Sequence, residues 1–324
     1  MNHPSNSQPL VSVVILSHNR PEYLGQALSS ILRQTYSRLE ILVVDNPSPR
    51  SPEIRALVAT LPQVRFISMR QNSGYTGGMN EGIRQSRGAY IYLTEDDMVT
   101  APDAIAHMVD YIERDPQAAI VSGAHYDERG LLICAGGSVV LGPVFSQLAI
   151  GRDTPNEAVP LGPFCATYAT GAMMLLRRSA IEELGVLHHD FFMYCEDIEL
   201  CLRVIRAGRN VVIVPDAKAI TLEDAGFSRS DAVLQFHKAK NLLATYLLHA
   251  PLTSLPEFFL RYAIWNVIRS LFRDPRSTLT LLRADAWFVL NTPRLMRDRL
   301  RYFFNCASYS DAPQVSQSVT APSR

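Results

Sequence analysis

The chain has 324 residues, of which 47% are hydrophobic, and its 31 Lys and Arg are balanced by 31 Asp and Glu. This length and composition suffice for one large α/β domain with additions, or for two modest domains. The balanced charge gives no reason to expect nucleic acid as a partner.

The cysteines and the N-terminal residues predict a cytoplasmic protein. Five cysteines, an odd number without CxxC or zinc-ligand spacing, favour free thiols in a reducing compartment. Residues 1–9, expected to be flexible, lack the pattern of a signal peptide, and no run of about 18 apolar residues predicts a spanning helix. Peripheral attachment to the cytoplasmic face of a membrane stays open.

The first part of the chain alternates between strands and helices. Residues 10–16 form a near-continuous β-branched run, typical of a parallel strand buried on both faces, and residues 40–44 and 64–69 predict two further strands. The apolar side chains of residues 22–33 and 54–61 have helical spacing. This alternation predicts an α/β fold whose mostly parallel sheet binds ligands at the carboxyl ends of its strands.

Three consecutive acidic residues, Glu95, Asp96 and Asp97, follow a predicted fourth strand over residues 90–94. Their mutual repulsion leaves two interpretations, a solvated turn or a set of oxygen ligands for Mg²⁺ or Mn²⁺. Polar residues after the first two strands are expected at the same edge of the sheet, which favours the second interpretation. These residues are Ser17, His18, Asn19, Arg20, Asp45 and Asn46.

A glycine-rich segment, residues 72–80, precedes the next predicted helix. Its three glycines permit close approach of the backbone to a phosphate and present free N–H groups. The spacing is neither GxGxxG nor that of a P-loop, so a dinucleotide site and a Walker site are not supported. A packing loop and a ligand loop both remain open.

The next predicted elements are a helix over residues 101–114, a strand over 118–122 and a hairpin over 131–150. A strand over residues 167–177 passes through Gly171. The small residue there either admits a sugar or allows a helix to pack closely on the sheet.

Glu196 and Asp197 precede a predicted helix over residues 198–207. Asp197 is either a capping residue favoured by the helix dipole or a catalytic carboxylate. His188 and His189 are expected to be surface or loop residues, because adjacent side chains rarely bind one metal ion.

Taken together in this order, these segments resemble the family-2 inverting glycosyltransferases, which share the GT-A fold. The resemblance covers roughly residues 10–230 and implies a nucleotide diphosphate sugar donor, UDP- or dTDP-linked, and a divalent metal. It rests on VSVVILSHNR (11–20), VVDN (43–46), NSG (72–74) with GGMN (77–80), LTEDD (93–97), GAMMLLRR (171–178) and EDIELCLR (196–203).

The resemblance implies that two groups of residues hold the donor. The first group frames the nucleobase and ribose, and the second shapes the rest of the donor pocket. The first is Ser17, Asn19 and Asp45 with Arg20 nearby, and the second is Asn72, Gly74 and Asn80.

The acidic triplet takes the place of the family's DxD motif. The resemblance implies that Asp96 reaches the ribose and Asp97 the metal, whereas Glu95 replaces an Asp and its role, metal or ribose, is open. Many relatives carry a metal-site His soon after the strand that residues 211–215 form here. This chain has no His there, and Glu223 falls at about that position as a candidate oxygen ligand.

The resemblance also implies the catalytic roles. Asp197 would be the general base that removes the proton of the acceptor hydroxyl, and Glu196 would assist by orientation or replace it as base. Asp190 and Gly171 would contact the acceptor.

The C-terminal third is predicted to be helical and basic. Residues 237–304 are rich in aromatic side chains and contain more Lys and Arg than Asp and Glu. This pattern favours either an anionic membrane surface or a helical cap or dimer contact. The predicted division is a catalytic domain over 10–230, a helical extension over 231–306 and a disordered tail over 307–324.

The leading hypothesis is a metal-dependent inverting glycosyltransferase, similar to rhamnosyltransferases, that builds a polysaccharide, O-antigen or lipid-linked glycan. A nucleotidyltransferase on a similar sheet would need more cationic residues after the first strand than Arg20 alone. A non-catalytic relative that binds glycan or membrane is the alternative from another class, suggested by the missing His.

Overall fold

The computed structural model describes residues 8–142, 145–151, 159–222, 232–271 and 275–304. Within these ranges the chain forms eleven strands and ten α-helices. The strands are β1 (Val11–Ser17), β2 (Leu39–Asp45), β3 (Val64–Ser68), β4 (Tyr90–Glu95), β5 (Met98–Thr100), β6 (Ala118–Asp127), β7 (Leu132–Leu141), β8 (Phe145–Gly151), β9 (Phe164–Ala166), β10 (Met173–Arg177) and β11 (Asn210–Thr221). The helices are α1 (Pro21–Leu32), α2 (Ser51–Ala59), α3 (Gly74–Gln85), α4 (Ala104–Arg114), α5 (Arg178–Leu184), α6 (Glu196–Arg206), α7 (Ala232–His249), α8 (Leu255–Phe259), α9 (Asn266–Leu271) and α10 (Pro275–Phe304).

The strands form one mixed sheet in the order β3-β2-β1-β4-β10-β6-β11-β5, with β7, β8 and β9 beside this path. Strands β1 to β4 are mutually parallel, because helical connections return each strand in the same direction. Strand β10 runs antiparallel to both of its neighbours, β4 and β6. The parallel sheet predicted from the first half of the sequence is confirmed.

Strand β1 lies between two layers of core. Val13 and Ile15 pack into one apolar cluster, with side chains of α1, α2 and α4, whereas Val14 and Leu16 pack into another, with side chains of α3, α5 and α6. Because side chains alternate across a strand, burial on both faces requires the near-continuous apolar run seen in the sequence.

The glycine-rich segment begins a helix, which differs from the loop expected over residues 72–80. Gly74 starts α3 with a φ of +70°, and a Cβ added there would lie 2.1 Å from the Phe192 carbonyl oxygen. A Cβ added at Gly78 would lie 2.3 Å from Leu16 Cδ1. These glycines therefore allow α3 to rest on the end of β1 and on the segment before α6.

The strand expected over residues 167–177 is shorter than predicted, because β10 begins at Met173. Gly171 lies in a turn, where its carbonyl accepts a hydrogen bond from the Tyr75 hydroxyl at 2.7 Å and its N–H donates to Asp197 at 3.3 Å. The backbone of Gly171 thus bonds to side chains of α3 and α6 instead of to a neighbouring strand, so the β-sheet pairing of β10 does not extend to this residue. The predicted hairpin over 131–150 is confirmed by the antiparallel pair β7 and β8.

Helices α7, α8 and α10 build an apolar cluster separate from the two around the sheet. Tyr246, Phe258 and Phe288 are buried in it, together with Phe191 from the segment before α6. No helix within the described ranges has both the length and the hydrophobicity that crossing a bilayer requires. The predicted disordered tail and residues 1–7 lie outside the described residues.

Candidate active site

Two adjoining cavities lie where β1 and β4 end. The Asn46 cavity has a volume of about 540 Å³ and includes His18 in its wall. The Asp197 cavity has a volume of about 650 Å³ and includes Gly171. The residues common to both walls are Arg20, Tyr75, Glu95 and Met193.

The guanidinium of Arg20 holds the acidic turn between β4 and β5. Asp96 is fully buried, and its Oδ2 accepts a hydrogen bond from the His18 backbone N–H at 3.0 Å. Arg20 bridges the turn, because its Nη2 lies 2.7 Å from Asp96 Oδ1 and its Nη1 donates to Asp97 Oδ2 at 2.9 Å. The burial of Asp96 excludes the solvated-turn interpretation.

Burial and the repulsion of neighbouring charges raise the pKa values of Glu95 and Asp96. Desolvation, together with the charges of Asp97 and Asp96, raises the pKa of Glu95 to about 8. Desolvation raises the pKa of Asp96 to about 6, although Arg20 opposes this shift. A further cation would lower both pKa values, since it stabilises the charged form of each group.

Helix α6 carries the candidate base in its first turn. The Oδ1 of Asp197 accepts a hydrogen bond from the Ile198 N–H at 2.8 Å, and its Oδ2 accepts one from the Gly171 N–H at 3.3 Å. Asp197 and its neighbour Glu196 line the same cavity as Glu95 and Asp97. Asp197 therefore combines a bond to its own helix with access to the cavity, so the capping and catalytic interpretations are compatible.

The two carboxyls at the start of α6 differ in their surroundings. Burial raises the pKa of Asp197, and the N–H groups of Ile198 and Gly171 oppose the rise. Burial and the charge of Asp197 raise the pKa of Glu196 well above its ordinary value. The Oε2 atom of Glu196 is buried and has no hydrogen-bond partner among the residues that the structure describes. Asp197 is thus the better oriented carboxylate of the pair.

Glu95 and Asp97 could supply part of the coordination shell of a divalent cation. Glu95 and Asp97 present hard oxygen donors to one cavity. No three His, Cys, Asp or Glu side chains within the described ranges are arranged to hold an ion by themselves. Mg²⁺ commonly takes one or two carboxylates and completes its shell with water and phosphate oxygens. Glu223, the further candidate ligand, lies outside the described residues.

Side-chain amides anchored to the backbone form the wall of the Asn46 cavity. Asn46 Nδ2 donates to the Gly74 carbonyl at 2.8 Å, and its Oδ1 accepts from the Ser73 N–H at 3.3 Å. Asn72 Oδ1 accepts from the Gly74 N–H at 2.9 Å. Asn19 also lines this cavity, with a φ of +65° that Asn tolerates better than most residues. These hydrogen bonds fix the orientation of the Asn46 and Asn72 amides in the wall.

Three of the predicted donor residues lie outside both cavity walls. Ser17 and Asp45 are buried at the ends of β1 and β2. Asn80 accepts a hydrogen bond from the Leu187 N–H at 3.0 Å and donates to its carbonyl at 2.8 Å. Asn80 instead lines a separate cavity, together with Met69 and Arg84.

The two predicted acceptor residues are placed differently. Gly171 lines the Asp197 cavity, whereas the Asp190 carboxylate accepts a hydrogen bond from Arg294 of α10 at 2.6 Å and lies outside both cavities. His188 and His189 are loop residues, as expected, because both lie between α5 and α6. His189 is exposed, whereas His188 is buried by α10, and its Nε2 lies 3.6 Å from Asp298 Oδ2.

Many residues of the two walls were not among the predicted site residues, and four of them show the reasons. Asn46 and Tyr75 lie within segments that the sequence singled out, so a closer examination of those segments would have found them. Tyr168, whose hydroxyl opposes the rise in the pKa of Asp197, and Lys238 of α7 carry no motif. Their proximity to the site depends on packing.

The sequence profile of Glycosyl transferase family 2 matches residues 12–185. The chain is 25% identical over 259 residues to the N-acetylglucosaminyl-diphospho-decaprenol L-rhamnosyltransferase of Mycobacterium tuberculosis, which covers 74% of this chain and 83% of the relative. It is 28% identical over 246 residues to the O-antigen biosynthesis protein RfbC of Myxococcus xanthus, covering 71% of this chain. The chain spans only 18% to 63% of the length of RfbC and three further curated relatives.

A solved structure of GalNAc-T7 with UDP, GalNAc and Mn²⁺ is similar, with a TM-score of 0.63 and 16% sequence identity. The likeness covers 87% of this chain and 56% of GalNAc-T7. At this level of identity the likeness concerns the fold alone, and it confirms the expected GT-A fold.

Proposed function

The chain belongs to glycosyl transferase family 2, and we propose that it is a metal-dependent inverting glycosyltransferase. In this proposal it moves a sugar from a nucleotide diphosphate, UDP or dTDP, to a hydroxyl of a glycan or lipid-linked acceptor. The observation that carries the proposal is the convergence of Glu95 and Asp97 with Glu196 and Asp197 on one cavity. The names of the rhamnosyltransferase and O-antigen relatives support envelope polysaccharide synthesis as the setting.

The donor nucleotide is proposed to occupy the Asn46 cavity, with its diphosphate at the wall shared with the Asp197 cavity. Asn19, Asn72 and Gly74 line the nucleotide side, and Arg20 is the cation nearest to the phosphates. Asp96 also belongs to the wall of this cavity, and it is proposed to act by holding Arg20, since its side chain is fully buried and paired with that guanidinium.

Asp97, with Glu95 beside it, is proposed to hold Mg²⁺ or Mn²⁺. The bound ion would neutralise the negative charge that develops on the leaving diphosphate. Arg20 supplies a second positive charge to the same wall, and its bond to Asp97 limits the rotation of that carboxylate.

Asp197 is the proposed general base. It accepts the proton of the acceptor hydroxyl while that oxygen forms its bond to the anomeric carbon. The bond between the sugar and the diphosphate breaks on the opposite face of the sugar, which inverts the anomeric configuration. Hydrogen bonds from Ile198 and Gly171 orient the Asp197 carboxylate for this step.

Calorimetric titration with UDP and with dTDP, each with and without Mn²⁺, tests the proposal. Asp97→Ala is expected to abolish metal-dependent nucleotide binding and donor hydrolysis. Asp110→Ala, which removes an exposed partner of Arg114 in α4, is the matched control and is expected to retain both. If the native chain shows no metal-dependent nucleotide binding, the alternative of a non-catalytic relative is favoured. If it releases pyrophosphate from a nucleoside triphosphate, the nucleotidyltransferase alternative is favoured.

The helical extension over residues 231–306 is proposed to rest on an anionic membrane surface, beside the catalytic domain over 10–230. Leu260, Ile264 and Ile268 are 58%, 53% and 41% exposed, and the neighbouring Arg261 and Arg269 are also exposed. Exposed apolar side chains beside cations suit the boundary between headgroups and acyl chains of anionic lipids.

Sedimentation with vesicles tests the membrane proposal. The native chain is expected to bind phosphatidylglycerol vesicles more than phosphatidylcholine vesicles, and the double change Ile264→Glu with Ile268→Glu is expected to abolish the difference. Leu161→Glu, at a leucine that is 98% exposed outside the extension, is the control. A dimer that buries Ile264 and binds no vesicles would contradict the proposal.

A further inference from the structure

The two residues before Glu196 and Asp197 have left-handed backbone conformations. Tyr194 and Cys195 have φ values of +69° and +67°, and neither residue is a glycine. This region is strained for side chains with a Cβ, so the surrounding structure must stabilise it. Because Glu196 and Asp197 follow directly, this turn determines the direction in which their carboxylates point.

Asn241 of α7 holds the turn by two hydrogen bonds. Its Nδ2 donates to the carbonyl of Met193 at 2.9 Å and to the carbonyl of Tyr194 at 2.8 Å. Asn241 is fully buried, so water does not compete for these bonds. One side-chain amide therefore ties the helical extension to the segment that leads into α6.

Lys240 determines the orientation of the Asn241 amide. Its Nζ donates to Asn241 Oδ1 at 2.8 Å and to the carbonyl of Asp190 at 2.6 Å. An ammonium group has no acceptor, so the amide oxygen must face Lys240 and the amide nitrogen must face the two carbonyls. Both side chains are buried, and together they hydrogen-bond to both ends of the segment before α6, at Asp190 and at Met193 and Tyr194.

We propose that Asn241 is a positioning residue for the transfer reaction, an inference that rests on the proposed role of Asp197 as general base. Its amide stabilises the left-handed turn at Tyr194 and Cys195, and the turn directs Asp197 into its cavity. Without the amide, the turn relaxes toward ordinary backbone angles and the carboxylate moves away from the acceptor. The helical extension thereby contributes to catalysis as well as covering the domain.

Two variants of Asn241 and one control test the inference in the full chain. Asn241→Leu removes the amide at similar volume, and Asn241→Asp removes the two N–H donors while keeping the shape. Thr245→Val is the matched control, because Thr245 is buried one turn further along α7 and its hydroxyl has no hydrogen-bond partner. Donor hydrolysis or transfer is measured over a range of donor concentrations and pH.

Both Asn241 variants are expected to lower kcat roughly ten- to hundred-fold, because small displacements of a catalytic group have effects of this size. The donor KM is expected to stay within about twofold of the native value, since Asn19, Asn72 and Gly74, which are proposed to line the nucleotide side, do not belong to the turn that Asn241 holds. The acid limb of the kcat profile is expected to move to higher pH, because displacement weakens the N–H bonds that oppose the rise in the pKa of Asp197.

Unchanged kcat in the folded variants, or an equal loss in Thr245→Val, would overturn the inference. The same conclusion would follow if neither Asn241 variant folds while Thr245→Val does, since Asn241 would then serve stability. Loss of transfer in Asp197→Asn without a loss in the Asn241 variants would overturn only this inference. A native chain that neither binds nor cleaves any nucleotide sugar would overturn the proposed function as well.

Discussion

Arg20 donates a hydrogen bond to Asp97 at 2.9 Å, while its second terminal nitrogen lies 2.7 Å from the buried carboxylate of Asp96. One guanidinium thus pairs with a carboxylate in the core and with a carboxylate at the cavity. The bridge offsets the cost of burying Asp96, and it brings a fixed positive charge to the wall that the two cavities share.

Replacement of Arg20 is therefore expected to affect both stability and binding. Arg20→Gln leaves Asp96 buried without its counter-charge, so the free energy of unfolding at neutral pH should fall by about 3 kcal/mol. Nucleotide affinity should fall as well, because a cation near the phosphates is lost. Chemical denaturation and calorimetry measure the two effects. Arg50→Gln, at an exposed pair with Glu22, should leave stability nearly unchanged, and a loss equal to that of Arg20→Gln would contradict the proposed role of the Arg20 bridge.

The two carboxylates at the start of α6 are expected to respond differently to neutralisation. Asp197→Asn should lower kcat by roughly 10²- to 10⁴-fold with unchanged donor affinity, because it removes the proton acceptor but no donor contact. Glu196→Gln should have a smaller effect on kcat. Steady-state kinetics with calorimetric donor titrations distinguish the two variants. Full transfer by Asp197→Asn would assign the base to Glu196.

A pair of glycine substitutions separates a steric clash from backbone strain. Gly74 and Gly130 both have positive φ, but a Cβ at Gly74 would lie 2.1 Å from the Phe192 carbonyl oxygen, whereas nothing lies within 4 Å of one at Gly130. Gly130→Ala should destabilise by about 1 kcal/mol through strain alone. Gly74→Ala should lose about 1–3 kcal/mol more and weaken nucleotide binding. Thermal and chemical unfolding measure the stability of both variants. Equal losses of stability in Gly74→Ala and Gly130→Ala would show that α3 can shift away from Phe192 and relieve the clash.

Glu199 links α6 to α7. Its carboxylate lies 2.6 Å from Arg203 in the same helix and 3.0 Å from His249 Nε2 of α7, and all three side chains are buried. Glu199→Gln leaves Arg203 without a buried counter-charge, so the free energy of unfolding should fall by about 3–5 kcal/mol. Glu183→Gln, at an exposed pair with Arg209, is the control.

The contribution of Glu199 to stability should depend on pH. Arg203 and the hydrogen bond with His249 hold the pKa of Glu199 well below its ordinary value, despite desolvation. The folded state therefore binds fewer protons than the unfolded state at mildly acidic pH, so the contribution is complete above the unfolded pKa of about 4.3 and is lost as pH falls below it. The difference in unfolding free energy between the native chain and Glu199→Gln should thus be constant near neutral pH and shrink in acid. A difference that grows in acid would contradict this assignment.

The order of strands and helices up to β4 follows from local patterns, and so does the position of Asp197 in the first turn of α6. Hydrophobic periodicity reports burial directly, which is why the bounds of β1 and α1 differ from the prediction by about one residue. The predicted strand through Gly171 failed because its hydrogen bonds go to Tyr75 and Asp197, which are distant in sequence.

The sequence by itself determined the alternating α/β architecture, the family, and the carboxylates that line the Asp197 cavity, because each depends on short segments with their own pattern. Only the tertiary structure decided the partners of the polar side chains. Arg20 bridges the acidic turn, Asn80 supports Leu187, and Asn241 of α7 holds the turn before Asp197. Hydrogen bonds and ion pairs of this kind join elements that only the packing of the sheet and helices brings within about 3 Å of each other.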